Sequence, residues 1–417
     1  MSNTIQIGIQ SKKIKGEIIL PTSKSISNRL LIMQALSEEK IDIAALSEAD
    51  DTQLLLKLLS IIKTKNGSEE TVSIDCHSAG TTFRFLTAFL STQKGSWLLT
   101  GDDRMKQRPI GELVNALSKA DADIKYFEIE NFPPLLINGK SLHGGVLEIQ
   151  SDISSQFISA LLLIAPYMTD GLNLTLQGTI VSEPYIRMTL ELMKQCEIQY
   201  VYKNSNIQIS PQKYRAAKFK VEPDWSAASY WYEIAALSED AEIILPKLNH
   251  SVLQGDAIVS SLFAELGVDT IFQDNAVILK KNSYVTDLFE FDFSDCPDLA
   301  QTVAVTCAAL KIKAHLKGLQ NLDIKETERL KMLALELNKI GVNAEILNDS
   351  ELIIYPSEIN IPDNHIIQTY SDHRMAMAFA PLAILCKKIN IAEPEVVKKS
   401  YPTFWKDLQS AGFTISF

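Results

Sequence analysis

Six times along the chain a short apolar or alternating run gives way to a break rich in Ser, Thr or Asp, and the break gives way to a dense apolar stretch. The first case is Ile18-Ile19-Leu20, then Pro21 to Arg29, then Leu30 to Leu36. The others are VSIDCHSAGTTFRFLTAFL from Val72, LEIQSDISSQFISALLLIA from Leu147, FKVEPDWSAASYWYEIAAL from Phe219, FEFDFSDCPDLAQTVAVTC from Phe289 and HIIQTYSDHRMAMAFAPLA from His365. A short run bounded by a polar break reads as a strand, and an apolar stretch that follows a capping residue reads as a helix. The helix starts fall near residues 25, 81, 155, 226, 298 and 372. Their spacing of roughly 55 to 75 residues suits one supersecondary unit per copy, three to each half of the chain.

Between these copies, Thr52 to Ile62, Ile110 to Ala120, Tyr185 to Glu197, Gly255 to Leu266 and Glu328 to Ile340 repeat apolar residues at helical spacing and predict second helices. Trp97 to Thr100, Asn173 to Leu176 and Ala241 to Leu245 predict strands. Repeated strand-turn-helix units indicate an α/β protein and by themselves nothing about function. A chain of 417 residues, 46% apolar, can bury two cores. No low-complexity linker divides them, so a boundary must be a short crossing. Val221-Glu222-Pro223-Asp224 is the candidate, with a second at Leu20-Pro21 if the first strand belongs with the second half.

Charge and cysteine usage narrow the partners. A net charge of −11 argues against nucleic acid or an anionic membrane, although a cationic cleft can persist in an acidic protein. Five scattered cysteines without a CxxC pair suit a reducing compartment and imply no metal site. The N-terminal residues lack a signal-peptide core, and the longest apolar run, Phe157 to Met168, is too short to span a bilayer. A cytoplasmic protein is expected.

The break Pro21-Thr22-Ser23-Lys24-Ser25-Ile26-Ser27-Asn28-Arg29 has the composition of an anion-holding turn: hydroxyls, two cations and the free N–H groups of a helix start. It is not a phosphate loop of the Gly-rich kind, because Ser23 precedes Lys24 and no Gly run leads in. Arginine placement extends the picture. Only eight of the forty basic residues are Arg, and Arg29, Arg84, Arg104, Arg108, Arg329 and Arg374 lie in the repeat turns or in the loops GDDRMKQRPIG and KETER. Planar forks in these places point to a small polyanionic ligand. Two carboxylates stand among the cations, Asp298 and Glu326, and such groups can move protons beside an anion. A plain N-cap for Asp298, and an i to i+3 pair with Arg329 for Glu326, remain open from composition alone.

Taken together, PTSKSISNR, SAGTTFR, GDDRMKQRPI, SSQF, SEPYI, PDLA, NLDIKETER, SDHRMAMA and KKSYPTF, in this order over nearly the whole chain, resemble the EPSP synthase (3-phosphoshikimate 1-carboxyvinyltransferase) family. The resemblance implies an α/β, two-domain enolpyruvyltransferase fold with three βαβαββ units in each domain and the active site in the interdomain cleft. Residues 1–20 and 223–417 would form a discontinuous domain and 21–222 the inserted one. It implies transfer of the carboxyvinyl group of phosphoenolpyruvate to the 5-hydroxyl of shikimate 3-phosphate, with release of phosphate and no metal or organic cofactor. Shikimate 3-phosphate would be held by Lys24, Ser25, Arg29, Ser154, Ser155, Gln156, Ser182, Asp298, Asn321 and Lys325. Phosphoenolpyruvate would be held by Lys24, Gly80, Arg108, Gln156, Arg329, Arg374 and Lys399. Asp298 would take the hydroxyl proton and Glu326 protonate carbon, with Lys24 and Lys399 assisting phosphate departure. A monomer, inhibited by glyphosate, is the expected form.

Three positions depart from the family pattern: Ser78 stands for a usual Asn, Thr22 for a common Gly and Pro223 for a frequent Gly. Two rivals are a UDP-N-acetylglucosamine enolpyruvyltransferase and a noncatalytic scaffold for an anionic metabolite. The first would need a cysteine in the GDDRMKQRPI loop, and none lies between Cys76 and Cys196. The second is disfavoured by the joint presence of Lys24, Asp298, Glu326 and Lys399.

Overall fold

A computed structural model describes residues 4–416; positions 1–3 and 417 of the expected domain bounds lie outside it. The chain divides into two compact units, one made of the segments up to Thr22, Glu48–Asp50 and from Glu222 onward, the other of Ser23–Ser47 and Asp51–Val221.

The inserted unit shows how the repeat is built. Strands Val72–Asp75 and Gly95–Thr100 run parallel on either side of helix Gly80–Ser91 in the chain; helix Gly111–Lys119 then leads to the antiparallel strands Asp123–Tyr126 and Leu135–Gly139. The last of these pairs with Gly95–Thr100, closing a four-stranded sheet. Gly145–Gln150, helix Ser155–Ile164, Leu172–Gln177, helix Glu183–Gln195, Tyr200–Lys203 and Asn206–Ile209 repeat this order. The third sheet has two strands, Ile41–Ala44 and Ala217–Lys220, in parallel register.

The other unit holds three four-stranded sheets. One follows the same order through Leu288–Asp292, helix Ala300–Ala309, Lys313–Lys317, helix Arg329–Lys339, Asn343–Leu347 and Glu351–Tyr355. A second joins Lys13–Glu17 in parallel to Asp240–Pro246, with the hairpin Val268–Gln273 and Ala276–Lys281 beyond. In the third, Thr4–Ile9 lies between Ile389–Ala392 and Phe413–Ser416, antiparallel to both.

Several first helices of the repeats are buried on every side. In Gly80–Ser91 only Thr81, in Ser155–Ile164 only Gln156 and in Trp225–Leu237 only Ser226 escapes full burial; Ala300–Ala309 and His373–Phe379 are buried throughout. A helix walled in along its length must be apolar all round, and Phe, Leu, Ala and Val fill these segments. Polar function is left to the N-terminal turn. Side chains of Ser23, Ser154, Asp224 and Asp372 cap four such turns.

Two expectations need correction. Ile18-Ile19-Leu20 is not a strand: the strand is Lys13–Glu17, prolonged only by Ile18 N donating to Ile244 O at 2.9 Å. KIKGE buries one residue in five, so no apolar pattern marks it. At both crossings, moreover, a strand and the helix that follows it belong to different units. Lys13–Glu17 joins the sheet reached through helix Trp225–Leu237, and Ala217–Lys220 joins the strand that follows helix Lys24–Leu36. Thr22 and Pro223, both departures from the family pattern, face one another in an isolated antiparallel bridge, beside which Asp224 N donates to Pro21 O at 2.9 Å. Gly255 to Leu266 opens as a 3-10 turn, Gly255–Ile258, before the α-helix Val259–Ala264. No helix among the described residues is long and apolar enough to cross a membrane.

Candidate active site

In the unit that contains the chain's C-terminal half, four segments bring charge to one place. The 3-10 turn Pro297–Leu299 carries Asp298, the first residue of helix Arg329–Lys339 is Arg329, helix His373–Phe379 carries Arg374 behind its cap Asp372, and the 3-10 segment Pro394–Lys399 ends in Lys399. Arg329 is 1% exposed and grips three carboxylates. Its Nε donates to Asp372 Oδ2 at 2.6 Å, its Nη2 to Glu326 Oε2 at 2.7 Å and its Nη1 to Asp298 Oδ1 at 3.1 Å. Arg374 Nη2 donates to Asp298 Oδ2 at 2.7 Å, and its Nη1 to Asp298 O at 3.2 Å and Tyr230 Oη at 3.3 Å. Lys399 Nζ lies 3.5 Å from Glu326 Oε1.

Protonation follows from this packing. Burial works against the Arg329 charge, but Asp372, Glu326 and Asp298 together outweigh it and hold the guanidinium above its ordinary range. Burial also pushes the Asp298 carboxyl up, and Arg374, Arg329 and Lys325 overcome that and hold it well below the usual carboxylate range. Asp298 is therefore an ionised acceptor whose basicity is restrained by cations. An anionic ligand on those cations would release that restraint.

The loop that carries Asn321, Lys325 and Glu326 is held from below. Leu319 and Leu322 are fully buried, Arg329 N reaches Leu322 O at 3.4 Å, and Asp323 Oδ1 accepts from Leu330 N at 2.9 Å. The two bland readings fare differently. Asp298 is not at a cap position, since Cys296 precedes its 3-10 turn and Leu299 the helix beyond, and its carboxylate goes to two arginines. Glu326 does pair with Arg329, but it lies before the helix, with Lys399 as a second partner.

The inserted unit gathers a second cationic group. Lys24, first residue of its helix, sits 3.0 Å from Asp51 Oδ2. Arg84 donates from Nη1 to Gly80 O at 3.0 Å, and its guanidinium carbon stands 5.4 Å from the Phe157 ring centroid. Arg108 is buried behind the short helix Asp103–Lys106, which Asp102 caps through Met105 N at 2.8 Å. Gly80 lies against both arginines: a Cβ there would fall 2.4 Å from Arg108 Nη1 and 2.6 Å from Arg84 Nη1. Ala79 before it supplies no capping side chain. Thr81 Oγ1 accepts from Gln156 Nε2 at 3.1 Å, while Gln156 Oε1 is buried without a partner among the described residues.

Ser154 caps its helix, Ser155 is buried beside it, and Ser182 takes a left-handed φ of 55° ahead of helix Glu183–Gln195. Arg29 is the predicted site residue most occupied by the protein itself. It donates to Thr189 Oγ1 at 2.7 Å, Ser25 O at 2.9 Å, Ser159 Oγ at 3.1 Å and Tyr185 O at 3.2 Å. Of five guanidinium N–H groups these bonds leave one, on Nη1. Burial draws its pKa down to about 10.

Two partners in these clusters, Asp51 and Asp372, were not among the expected site residues, and each neutralises an expected cation; Arg84, one of the arginines expected to face a polyanion, shares the Gly80 contact with Arg108. The Asp50-Asp51 pair and the SDHR motif were visible, but what they face comes from sequence-distant segments. Among the described residues no cluster of His, Cys, Asp and Glu is arranged to hold a metal ion, and the five cysteines are unpaired.

Comparison with known proteins bears on the fold and the family. The structure is similar to a solved EPSP synthase from Acinetobacter baumannii, with a TM-score of 0.77 at 20% identity, covering 99% of this chain and 100% of that one. It is also similar to an enolpyruvyl transferase from Streptomyces tendae, with a TM-score of 0.76 at 11% identity, covering 100% and 99%. At such identities the likeness speaks for the fold, which is the two-domain enolpyruvyltransferase fold. Sequence relatives are nearer. A 3-phosphoshikimate 1-carboxyvinyltransferase of Bacteroides fragilis is 48% identical over 404 residues, 97% of each chain, and one from Sulfurovum sp. is 36% identical over 95% of this chain and 96% of its own. The family model described as EPSP synthase (3-phosphoshikimate 1-carboxyvinyltransferase) matches residues 9–408, and with these relatives it places the chain in the EPSP synthase family.

Proposed function

We propose that the protein transfers the carboxyvinyl group of phosphoenolpyruvate to the 5-hydroxyl of shikimate 3-phosphate, a reading supported by relatives that carry the name 3-phosphoshikimate 1-carboxyvinyltransferase. The observation that carries this reading is the Asp298, Glu326, Lys399 group fixed on Arg329 and Arg374. It combines two carboxylates of different surroundings with cations that suit a phosphate and a carboxylate.

In the proposed reaction the 5-hydroxyl oxygen attacks C2 of the enol donor while its proton passes to Asp298. Glu326 delivers a proton to the methylene carbon. The tetrahedral adduct then returns a proton from that carbon to Glu326, the carbon–carbon double bond re-forms as the C–O bond to phosphate breaks, and Lys24 and Lys399 meet the leaving phosphate, which takes up the proton held by Asp298. Asp298 gains basicity as substrate anions engage Arg329 and Arg374, so deprotonation waits on binding. Lys24, Ser25, Arg29, Ser154, Ser155, Gln156, Ser182, Asp298, Asn321 and Lys325 are the proposed contacts of shikimate 3-phosphate. Lys24, Gly80, Arg108, Gln156, Arg329, Arg374 and Lys399 are those of phosphoenolpyruvate. The same reading makes glyphosate, with its phosphonate and carboxylate, an inhibitor, and the protein a cytoplasmic monomer.

Phosphate release measured with both substrates, and with UDP-N-acetylglucosamine in place of shikimate 3-phosphate, tests the proposal. Turnover only with shikimate 3-phosphate is expected. Release with the nucleotide sugar, or with neither acceptor, would refute it. The loop 101–110 contains no cysteine, which speaks against the nucleotide-sugar enzyme.

A further inference from the structure

Asp372 holds the Nε of Arg329 and caps the helix that carries Arg374, so its position governs two of the proposed donor-binding cations. What sets Asp372 is a tight turn. Asp372 N donates to Thr369 O at 2.9 Å, and the two residues between, Tyr370 and Ser371, have φ of 54° and 57°. Positive φ at both central positions is the type I′ arrangement, which Asn and Gly adopt readily and which strains Tyr and Ser. Such a turn persists only where its surroundings hold it.

Two carboxylates do so. Glu336, fully buried, accepts from Tyr370 Oη at 2.6 Å and from Gln368 N at 3.2 Å. Glu393 accepts from Thr369 Oγ1, from Ser371 N at 2.9 Å and from Ser371 Oγ at 3.2 Å. Burial raises the Glu393 carboxyl, and the bonds from Thr369 and Ser371 outweigh that and bring it below its ordinary value, as suits an acceptor that stays ionised. Glu393 is itself left-handed, with φ of 47°, and it immediately precedes Pro394–Lys399. One side chain thus ties the strained turn before Asp372 to the segment that ends in Lys399.

We propose that Glu393 is a positioning residue for the enol donor, clamping the Tyr370-Ser371 turn so that Arg329, Arg374 and Lys399 keep one mutual arrangement. This rests on the assignment of those three cations to phosphoenolpyruvate. Glu393 is not itself among the proposed substrate contacts. Its effect reaches the chemistry through Asp372 on one side and Lys399 on the other.

The test compares wild type with Glu393→Ala, Glu393→Gln and the double variant Glu393→Ala/Ser371→Gly, measuring KM for each substrate, kcat and Tm. Displacement of donor-binding groups by a fraction of an ångström predicts that Glu393→Ala raises KM for phosphoenolpyruvate by about tenfold or more and leaves KM for shikimate 3-phosphate within about twofold. Glu393→Gln keeps an acceptor oxygen and stays close to wild type. Ser371→Gly, which takes positive φ without strain, recovers much of the loss in the double variant. Should Glu393→Ala fail to fold, Thr369→Val removes one of the same hydrogen bonds at nearly constant volume and must shift the same constant in the same direction. An unchanged phosphoenolpyruvate KM in the folded variant, equal losses for both substrates, or recovery of Tm without recovery of KM would overturn the proposal. A wild type without turnover would remove the functional reading and this one with it, whereas an active wild type with an indifferent Glu393→Ala removes only this one.

Discussion

Gly80→Ala is the sharpest test of the donor site, because its effect can be worked from distances. The added methyl would lie 2.4 Å from Arg108 Nη1, 2.8 Å from Arg108 Cζ and 2.6 Å from Arg84 Nη1, well inside van der Waals contact. Neither arginine can retreat freely. Both are about 4% exposed, and Arg84 is held by Gly80 O and by the Phe157 ring. Arg108, the proposed ligand, must therefore move by about 1 Å, enough to break one charge-assisted hydrogen bond worth roughly 1.5 to 3 kcal/mol. That converts to a rise in KM for phosphoenolpyruvate of about 10- to 150-fold. KM for shikimate 3-phosphate, whose proposed contacts at Ser25, Ser154 and Ser155 lie elsewhere, should hold within about twofold. Glyphosate, longer than the substrate, should lose more affinity than phosphoenolpyruvate does. Steady-state phosphate release with each substrate varied while the other is saturating, with and without glyphosate, gives all three quantities. An unchanged KM for phosphoenolpyruvate and unchanged inhibition in a variant of wild-type Tm would show that Arg108 does not touch the donor.

Glu326→Gln keeps shape but cannot deliver a proton, so turnover should fall by about two to four orders of magnitude while calorimetry still detects shikimate 3-phosphate; near-normal turnover would take Glu326 out of the mechanism. Arg29→Ala should lower both affinity and Tm, since it removes four hydrogen bonds, to Thr189, Ser159 and two backbone carbonyls, as well as any ligand contact; lost affinity at unchanged Tm would contradict the structural half of that statement. Asp256 supplies a pH test. Burial, with the charge of Asp298, lifts its carboxyl to about 7 despite Ser226 and Arg374. A folded value above the unfolded one means that stability is highest below about pH 4 for this group and declines as pH rises through 7. Asp256→Asn cannot ionise, so its Tm relative to wild type should climb between pH 5 and 8, corresponding to roughly 1 to 3 kcal/mol at the upper end, and a difference independent of pH would refute the assignment.

How much of this was readable in the residues depends on where each element sits. Helices walled in by sheets must be apolar on every face, so FRFLTAFL and FISALLLIA announced themselves, and their polar first turns marked the places where ligands can be met. Lys13–Glu17 has four of five residues unburied and sends no such signal. The exchange of strands at the two crossings was hidden for another reason: neighbours in sequence predict neighbours in space, and at Thr22 and Val221 they are not. At the site, residue types and their spacing marked the cations, but not what neutralises them. Asp372 meets Arg329 across 43 positions and Asp51 meets Lys24 across 27, pairings that only the fold produces. For Arg29 the composition suggested a ligand grip, and the packing shows most of its hydrogen-bonding capacity taken up by its own unit.

The placement of Thr4–Ile9 between Ile389–Ala392 and Phe413–Ser416 has a consequence for biosynthesis. On the ribosome Thr4–Ile9 has no partner until Ile389–Ala392 has been made, and Lys13–Glu17 likewise waits for Asp240–Pro246. The unit that lies second along the chain has all of its strands by Lys220, so it can fold while the earlier segment still hangs free. Vectorial synthesis usually favours the N-terminal domain. Here it favours the inserted one, and Thr4–Ile9 and Lys13–Glu17 stay unpaired until the segments beyond it have been made. Their makeup fits that wait: KIKGE is too polar to aggregate, and TIQIGI alternates every apolar residue with a polar one or a glycine.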